Sequence, residues 1–145
     1  MDYETVTPAA FGASLTGIGV NLVVRDVARA AAFLEHVMGL TLWRRSADFA
    51  IAAHGGQVLQ LHSDATFARH PLSGLLPETP PRGAGVELRL FGVDPDAAAA
   101  RAEAAGHLVL QPPADKPHGL REACILDPDG YLWVPSLPLG PDGPG

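Results

Sequence analysis

The side chains able to do chemistry gather in a few short runs. "QVLQLH" carries Gln60 and His62, "GVELRLF" carries Glu87 and Arg89, and "KPHGLRE" carries His118 and Arg121. Residues two apart on a strand share a face, so Gln60 points with His62 and Glu87 with Arg89. A carboxylate among apolar strand residues is costly unless it is paired or shifts its pKa. Glu87 is therefore either a general base, or an acceptor for a ligand amine, or a structural carboxylate paired with Arg89 or Arg121. Among the rings, Trp43 and Phe49 lie in strand-like runs, and Phe67 stands in a polar connection where an apolar ring has little to do unless it covers something. Rings so placed can stack a planar ligand. Of the six histidines, His36, His54 and His107 read as surface or turn residues, while His62, His70 and His118 fall nearer a site. Cys124 is the single cysteine and lies in the apolar run "EACILD", as a small core residue would. No nucleophile elbow, phosphate loop, CxxC, HExxH or dinucleotide fingerprint is present.

The 145 residues suit one compact domain, and 47% hydrophobic with 18% charged content is globular. A net charge of −6 offers no basic footprint for nucleic acid or an anionic membrane surface. The opening "MDYETVTPAAFGASL" has neither the basic start nor the apolar core of a signal peptide, and no later apolar run is long enough to span a bilayer. The expectation is a cytoplasmic protein.

Those chemical residues need elements to position them. From Ile18 to Val24 the chain reads as an apolar strand. Val27, Ala30, Ala31, Leu34, Val37 and Met38 then recur at helical steps, with Gly39 as terminator. "LTLWRR", "FAIAAH" and "QVLQLH" follow as three hairpin-linked strands. The order returns as "GVELRLF", then a helix capped by Asp94 and Pro95 and closed by Gly106, then "HLVLQPP", "REACILD" and "YLWVPS". A duplicated βαβββ unit is the economical reading. The boundaries are an N-terminal extension over 1–16, a domain over 17–137 and a flexible tail over 138–145. Within the domain, unit one covers 17–62, a linker 63–83 and unit two 84–137. The fold class is α+β, with helices on one side of a curved mixed sheet around a cleft. Alternation turns Gly19, Asn21 and Val23 toward the open side, with Val58, Gln60 and His62, Glu87 and Arg89, and Leu132 and Val134. Trp133 points the other way.

The runs "VNLVVRDVARAAAFLEHVMGL", "VDPDAAAARAEAAG" and "HGLREACILDPDGYLWVP" resemble the first strand and helix, the second helix and the closing hairpin of the glyoxalase/bleomycin resistance/dioxygenase family, the vicinal oxygen chelate superfamily. The resemblance spans about residues 17–137. In the family's metalloenzymes, His and Glu from the first and last strands of each unit hold a divalent ion. The resemblance puts those positions at Gly19, Gln60, Glu87 and Val134, of which only Glu87 is a good ligand. His62 with Glu87 is the fallback, short of the three or so imidazole or carboxylate ligands that such an ion requires.

What the resemblance then implies is a metal-free, cofactor-free binding protein, sequestering an apolar or aromatic small molecule as drug-resistance members do. Asn21, Trp43, Phe49, Gln60, His62, Phe67, Glu87, Arg89, His118, Arg121 and Val134 are its candidate ligand contacts. The alternative is a lyase, isomerase or dioxygenase with an atypical metal site or with Glu87 as general base. The family likeness also implies a homodimer.

Overall fold

The computed structural model describes residues 1–140, which form two compact units, Met1–Glu35 with Leu40–Leu76, and His36–Gly39 with residues 77–140. Of the expected tail, residues 138–140 are described, and residues 141–145 lie outside the described part.

Unit one opens with a short helix, α1 (Pro8–Ser14), followed by β1 (Asn21–Val24), α2 (Val27–Ala32), β2 (Thr41–Trp43), β3 (Phe49–His54) and β4 (Gln57–Ser63). The four strands form one sheet in the order β1-β4-β3-β2, with β1 parallel to β4 and the other pairs antiparallel. Asp26 starts α2 by accepting a hydrogen bond from the Arg29 backbone N–H at 3.1 Å. The helix continues as a π-turn, Phe33–Val37, and Gly39, at φ +76°, ends it while the Leu40 N–H reaches back to the Leu34 carbonyl. The alternation built into each strand gives the sheet one apolar side. Leu22, Val24, Ala50, Ala52 and Leu61 are buried there with Val27, Ala30 and Ala31 of α2. The strand begins at Asn21 rather than Ile18, which is almost fully exposed, so Gly19 lies before the ladder.

Unit two repeats the plan. Its strands are β5 (Glu87–Phe91), β6 (Val109–Asp115), β7 (Leu120–Leu126) and β8 (Leu132–Pro138), in the order β5-β8-β7-β6, with α3 (Pro95–Ala104) between β5 and β6. The Asp94 carboxylate accepts from the Asp96 and Ala97 N–H groups, and Gly106 at φ +82° lets the chain turn out of α3. Ala98, Ala99 and Ala102 of that helix are buried with Leu90, Ala123, Ile125 and Trp133. Small alanines suit this helix because they let it approach the sheet closely around one large indole. The strands thus form two four-stranded sheets, each with its helix on one side.

The final strand extends further than the hairpin signature suggests. Pro138 pairs with Leu120, and the Leu139 N–H donates to the Gly119 carbonyl at 3.0 Å, so residues 138 and 139 are paired backbone rather than loose tail. The connection between the units is also built. Asp64–Phe67 and Ser73–Leu75 are single 3₁₀ turns, and the first packs on β1 and β4. Further on, the Arg82 N–H donates to the Asp129 carbonyl, and Gly83 and Pro81 lie against Tyr131 and Gly130 of the β7–β8 turn.

Candidate functional site

Each sheet has a second face, opposite its helix, and strand register states which side chains occupy it. In unit one, Asn21 aligns with Gln60, Gln60 with Ile51 and Ile51 with Trp43, while the next row aligns Val23, His62 and Phe49. The sequence candidates Asn21, Trp43, Phe49, Gln60 and His62 therefore share one face. Phe67, from the 3₁₀ turn after β4, joins them. Its ring centroid lies 5.3 Å from that of His62, and Phe49 flanks His62 at 5.2 Å on an edge-to-face tilt. His70 sits 4.6 Å from Phe67. Centroid separations of this size are those of attractive aromatic pairs. Burial lowers the His62 pKa, so the imidazole is neutral at pH 7, and Nε2 lies 3.1 Å from the Gln60 side-chain oxygen.

In unit two the corresponding face carries charge. Glu87, Arg89 and Phe91 alternate along β5, aligned with Leu132, Val134 and Ser136 of β8, and Ser136 is opposite Glu122 of β7. Arg89 donates to Glu87 at 3.2 Å and, across the whole width of β8, to Glu122 at 2.7 Å. Its guanidinium carbon lies 5.6 Å from the Phe91 ring centre. His118 reaches the other Glu122 oxygen at 2.9 Å. Burial opposes the Arg89 charge, but hydrogen bonds and charge from Glu122 and Glu87 outweigh it and hold its pKa above the ordinary value. Glu122 is almost fully buried, whereas Glu87 is half-exposed. Among the described residues, the Ser136 hydroxyl is the buried side-chain polar atom with no partner.

Glu122 is the functional-looking residue that the pattern reading passed over. The signal was present: a carboxylate at the start of the apolar run "EACILD" must find a cation, and Arg89 is the arginine on the same face. Arg121 braces neither Glu87 nor Asp127. It points to the helix side, where it binds both carboxylate oxygens of Asp96 in α3 at 2.7 and 2.9 Å and Asp115 at 2.9 Å. These bonds keep the Asp96 pKa below its usual range. One residue separates Arg121 from Glu122, and on a strand that places them on opposite faces. Val134 is on the expected face but 0% exposed, so it is sheet packing with no surface to offer a ligand. Cys124 is half-buried, and burial with the nearby Glu122 and Glu87 charges raises its pKa, keeping it a thiol.

A model of the glyoxalase/bleomycin resistance protein/dioxygenase superfamily matches residues 18–134. The chain belongs to this superfamily. No curated protein matches the chain significantly. Among solved structures, it is similar to a glyoxalase/bleomycin resistance protein/dioxygenase from Nocardioides, with a TM-score of 0.63, 26% identity and 93% of this chain covering 94% of that one. It is also similar to a family enzyme from Burkholderia phytofirmans PsJN, with a TM-score of 0.68 and 22% identity over 83% of this chain and 96% of that one. TioX from Micromonospora sp. ML1 matches with a TM-score of 0.60 and 24% identity, over 84% and 95% of the two chains. The last two likenesses concern the fold alone.

The four positions that the resemblance assigns to a metal carry residues that do not fit an ion. Gly19 has no side chain, Gln60 shares its oxygen with His62, Glu87 is bonded to Arg89, and Val134 is apolar and enclosed. Arg89, aligned with Val134, extends from there across β8 to Glu122, so a cation already serves the carboxylates of this face. Among the described residues, no group of three or more His, Cys, Asp or Glu side chains could hold a metal ion. No helix of the described residues is long and apolar enough to cross a membrane.

Proposed function

We propose that this superfamily member binds a small apolar or aromatic molecule without a metal, and that it sequesters the molecule rather than transforming it. The observation that carries the reading is the row of rings Phe49, His62 and Phe67 on the helix-free face of unit one, with Trp43 in the next row. A neutral imidazole between two phenyl rings suits a planar apolar guest better than an ion, because burial disfavours a charge there. The superfamily name itself includes resistance proteins, which supports binding as a role. Titration with planar antibiotics and with anilinonaphthalene sulfonate, followed by tryptophan fluorescence and thermal shift, tests this. Saturable binding by protein without bound metal is the expected result. Stoichiometric metal that is lost in a Glu87→Ala variant would overturn it.

A second reading has one observation in its favour. Glu87 is half-exposed on the face of unit two and held in place by Arg89, as a positioned general base would be. If Glu87→Gln keeps ligand binding but abolishes a measured turnover, the enzymatic reading replaces sequestration. The proposal includes a cytoplasmic homodimer. Support comes from Leu108 and Leu110, which are more than half exposed on and beside the edge strand β6. Sedimentation velocity decides the oligomeric state.

A further inference from the structure

The first fourteen residues precede the family match, which begins at residue 18, and none of the sequence candidates came from them. Yet they are folded onto the same face of unit one. The Tyr3 ring meets the Trp43 ring edge-on at 6.1 Å, and Phe11 meets Tyr3 at 5.8 Å and 89°. Phe11 is the buried residue of α1. Trp43 shares its row with Ile51, Gln60 and Asn21, beside the row that holds Phe49 and His62. The segment thus stands at the Trp43 end of the candidate ligand face.

One residue holds it there. Arg44, directly after β2, donates its backbone N–H to the Glu4 carboxylate at 2.8 Å, its Nε to the Tyr3 carbonyl at 2.7 Å and its Nη2 to the Val6 carbonyl. Arg44 is the non-glycine residue with positive φ among those described, at +50°. That conformation is strained for a non-glycine residue and persists where its surroundings demand it. Here it turns both the backbone donor and the side chain of one residue toward the same segment.

The segment is locally organised but weakly anchored otherwise. Asp2 accepts from the Glu4 N–H and the Thr5 hydroxyl, and Thr7 caps α1 through the Ala10 N–H. α1 has 7 residues, too few to persist without tertiary support. A piece held by the backbone and side chain of one arginine and by ring contacts belongs to the part of a structure that opens at low free-energy cost.

We propose that residues 1–14 form a movable wall of the ligand site, with Tyr3 as its contact residue and Arg44 as its clasp, and that this wall determines which molecules reach Trp43. The inference rests on the ligand-site reading of this face. With the clasp shut, Tyr3 flanks Trp43, so a small planar guest can slot beside the indole, whereas a bulky one requires the segment to lift.

The test uses the full-length protein and acrylamide quenching of tryptophan emission. Trp133 is fully buried, so a Trp43→Phe protein supplies the background to subtract. Arg44→Ala and Tyr3→Ala, each with circular dichroism unchanged, should raise the quenching constant of Trp43 by about two-fold or more, as local opening exposes it. The same variants should exchange anilinonaphthalene sulfonate faster than wild type. If Arg44→Ala does not fold, Tyr3→Ala carries the decision. Unchanged quenching in the folded variants would overturn the clasp. Raised quenching with unchanged probe exchange would overturn its gating of ligands. Absence of probe binding in wild type and variants alike would overturn the ligand-site reading, and the quenching result would still decide the clasp.

Discussion

Asp127 opens the β7–β8 turn and is the group whose replacement tests the physical account most sharply. Its Oδ1 accepts from the Asp129 and Tyr131 N–H groups at 2.9 and 3.0 Å, and its Oδ2 accepts from the Trp133 indole N–H at 3.0 Å. Burial pushes its pKa from 3.8 up to about 6; the bonds from Trp133, Tyr131 and Asp129 pull against that rise, and the Asp129 charge adds to it. The folded state therefore holds this proton more tightly than the unfolded chain. Its contribution to stability is largest below pH 3.8 and is lost as the pH rises through about 6, a span worth about 3 kcal/mol.

Asp127→Asn keeps the oxygen facing the two backbone amides but turns an NH₂ toward the indole N–H. One bond is lost and a buried donor is left without a partner, a cost of about 1–3 kcal/mol. The amide also never ionises, so it escapes the charge cost that the wild type bears at neutral pH. The variant is thus expected to be less stable than wild type by about 1–3 kcal/mol at pH 4.5, with the difference shrinking toward zero or reversing by pH 7.5. Urea unfolding of both proteins, followed by Trp133 emission in a Trp43→Phe background across that pH range, measures it; taking the difference cancels the other carboxylates. A destabilisation that stays constant with pH would refute the argument that Asp127 titrates with a raised pKa.

Two further outcomes follow from the charged face and the closing turn. Arg89→Met should cost about 3 kcal/mol in urea unfolding at pH 7, because it leaves the enclosed Glu122 carboxylate with His118 alone, while Glu87→Gln at the half-exposed end should cost under about 1 kcal/mol. Equal effects of the two would refute the ranking by burial. Gly130→Ala should lower stability by about 1–3 kcal/mol, since its backbone is at φ +81° and an added methyl would stand 2.5 Å from the Pro81 Cα; an unchanged urea midpoint would contradict that contact.

The sequence by itself determined the duplicated strand and helix order, because apolar spacing, Asp94 as a cap, and Gly39 and Gly106 as terminators act within a few residues of one another. It also determined which residues face away from each helix. Two-residue alternation is a local property, and it correctly paired Gln60 with His62 and Glu87 with Arg89. Even the oddity at Val134 was legible, since an apolar side chain cannot ligate an ion whatever surrounds it. Only the tertiary structure decided who partners whom. Arg89 reaching Glu122 over an intervening strand, Arg121 turning to Asp96, and Arg44 gathering Tyr3, Glu4 and Val6 all join residues 25 to 41 positions apart. Such pairings depend on strand order and register, which bring distant positions within one side-chain length, and no spacing along the chain encodes that distance.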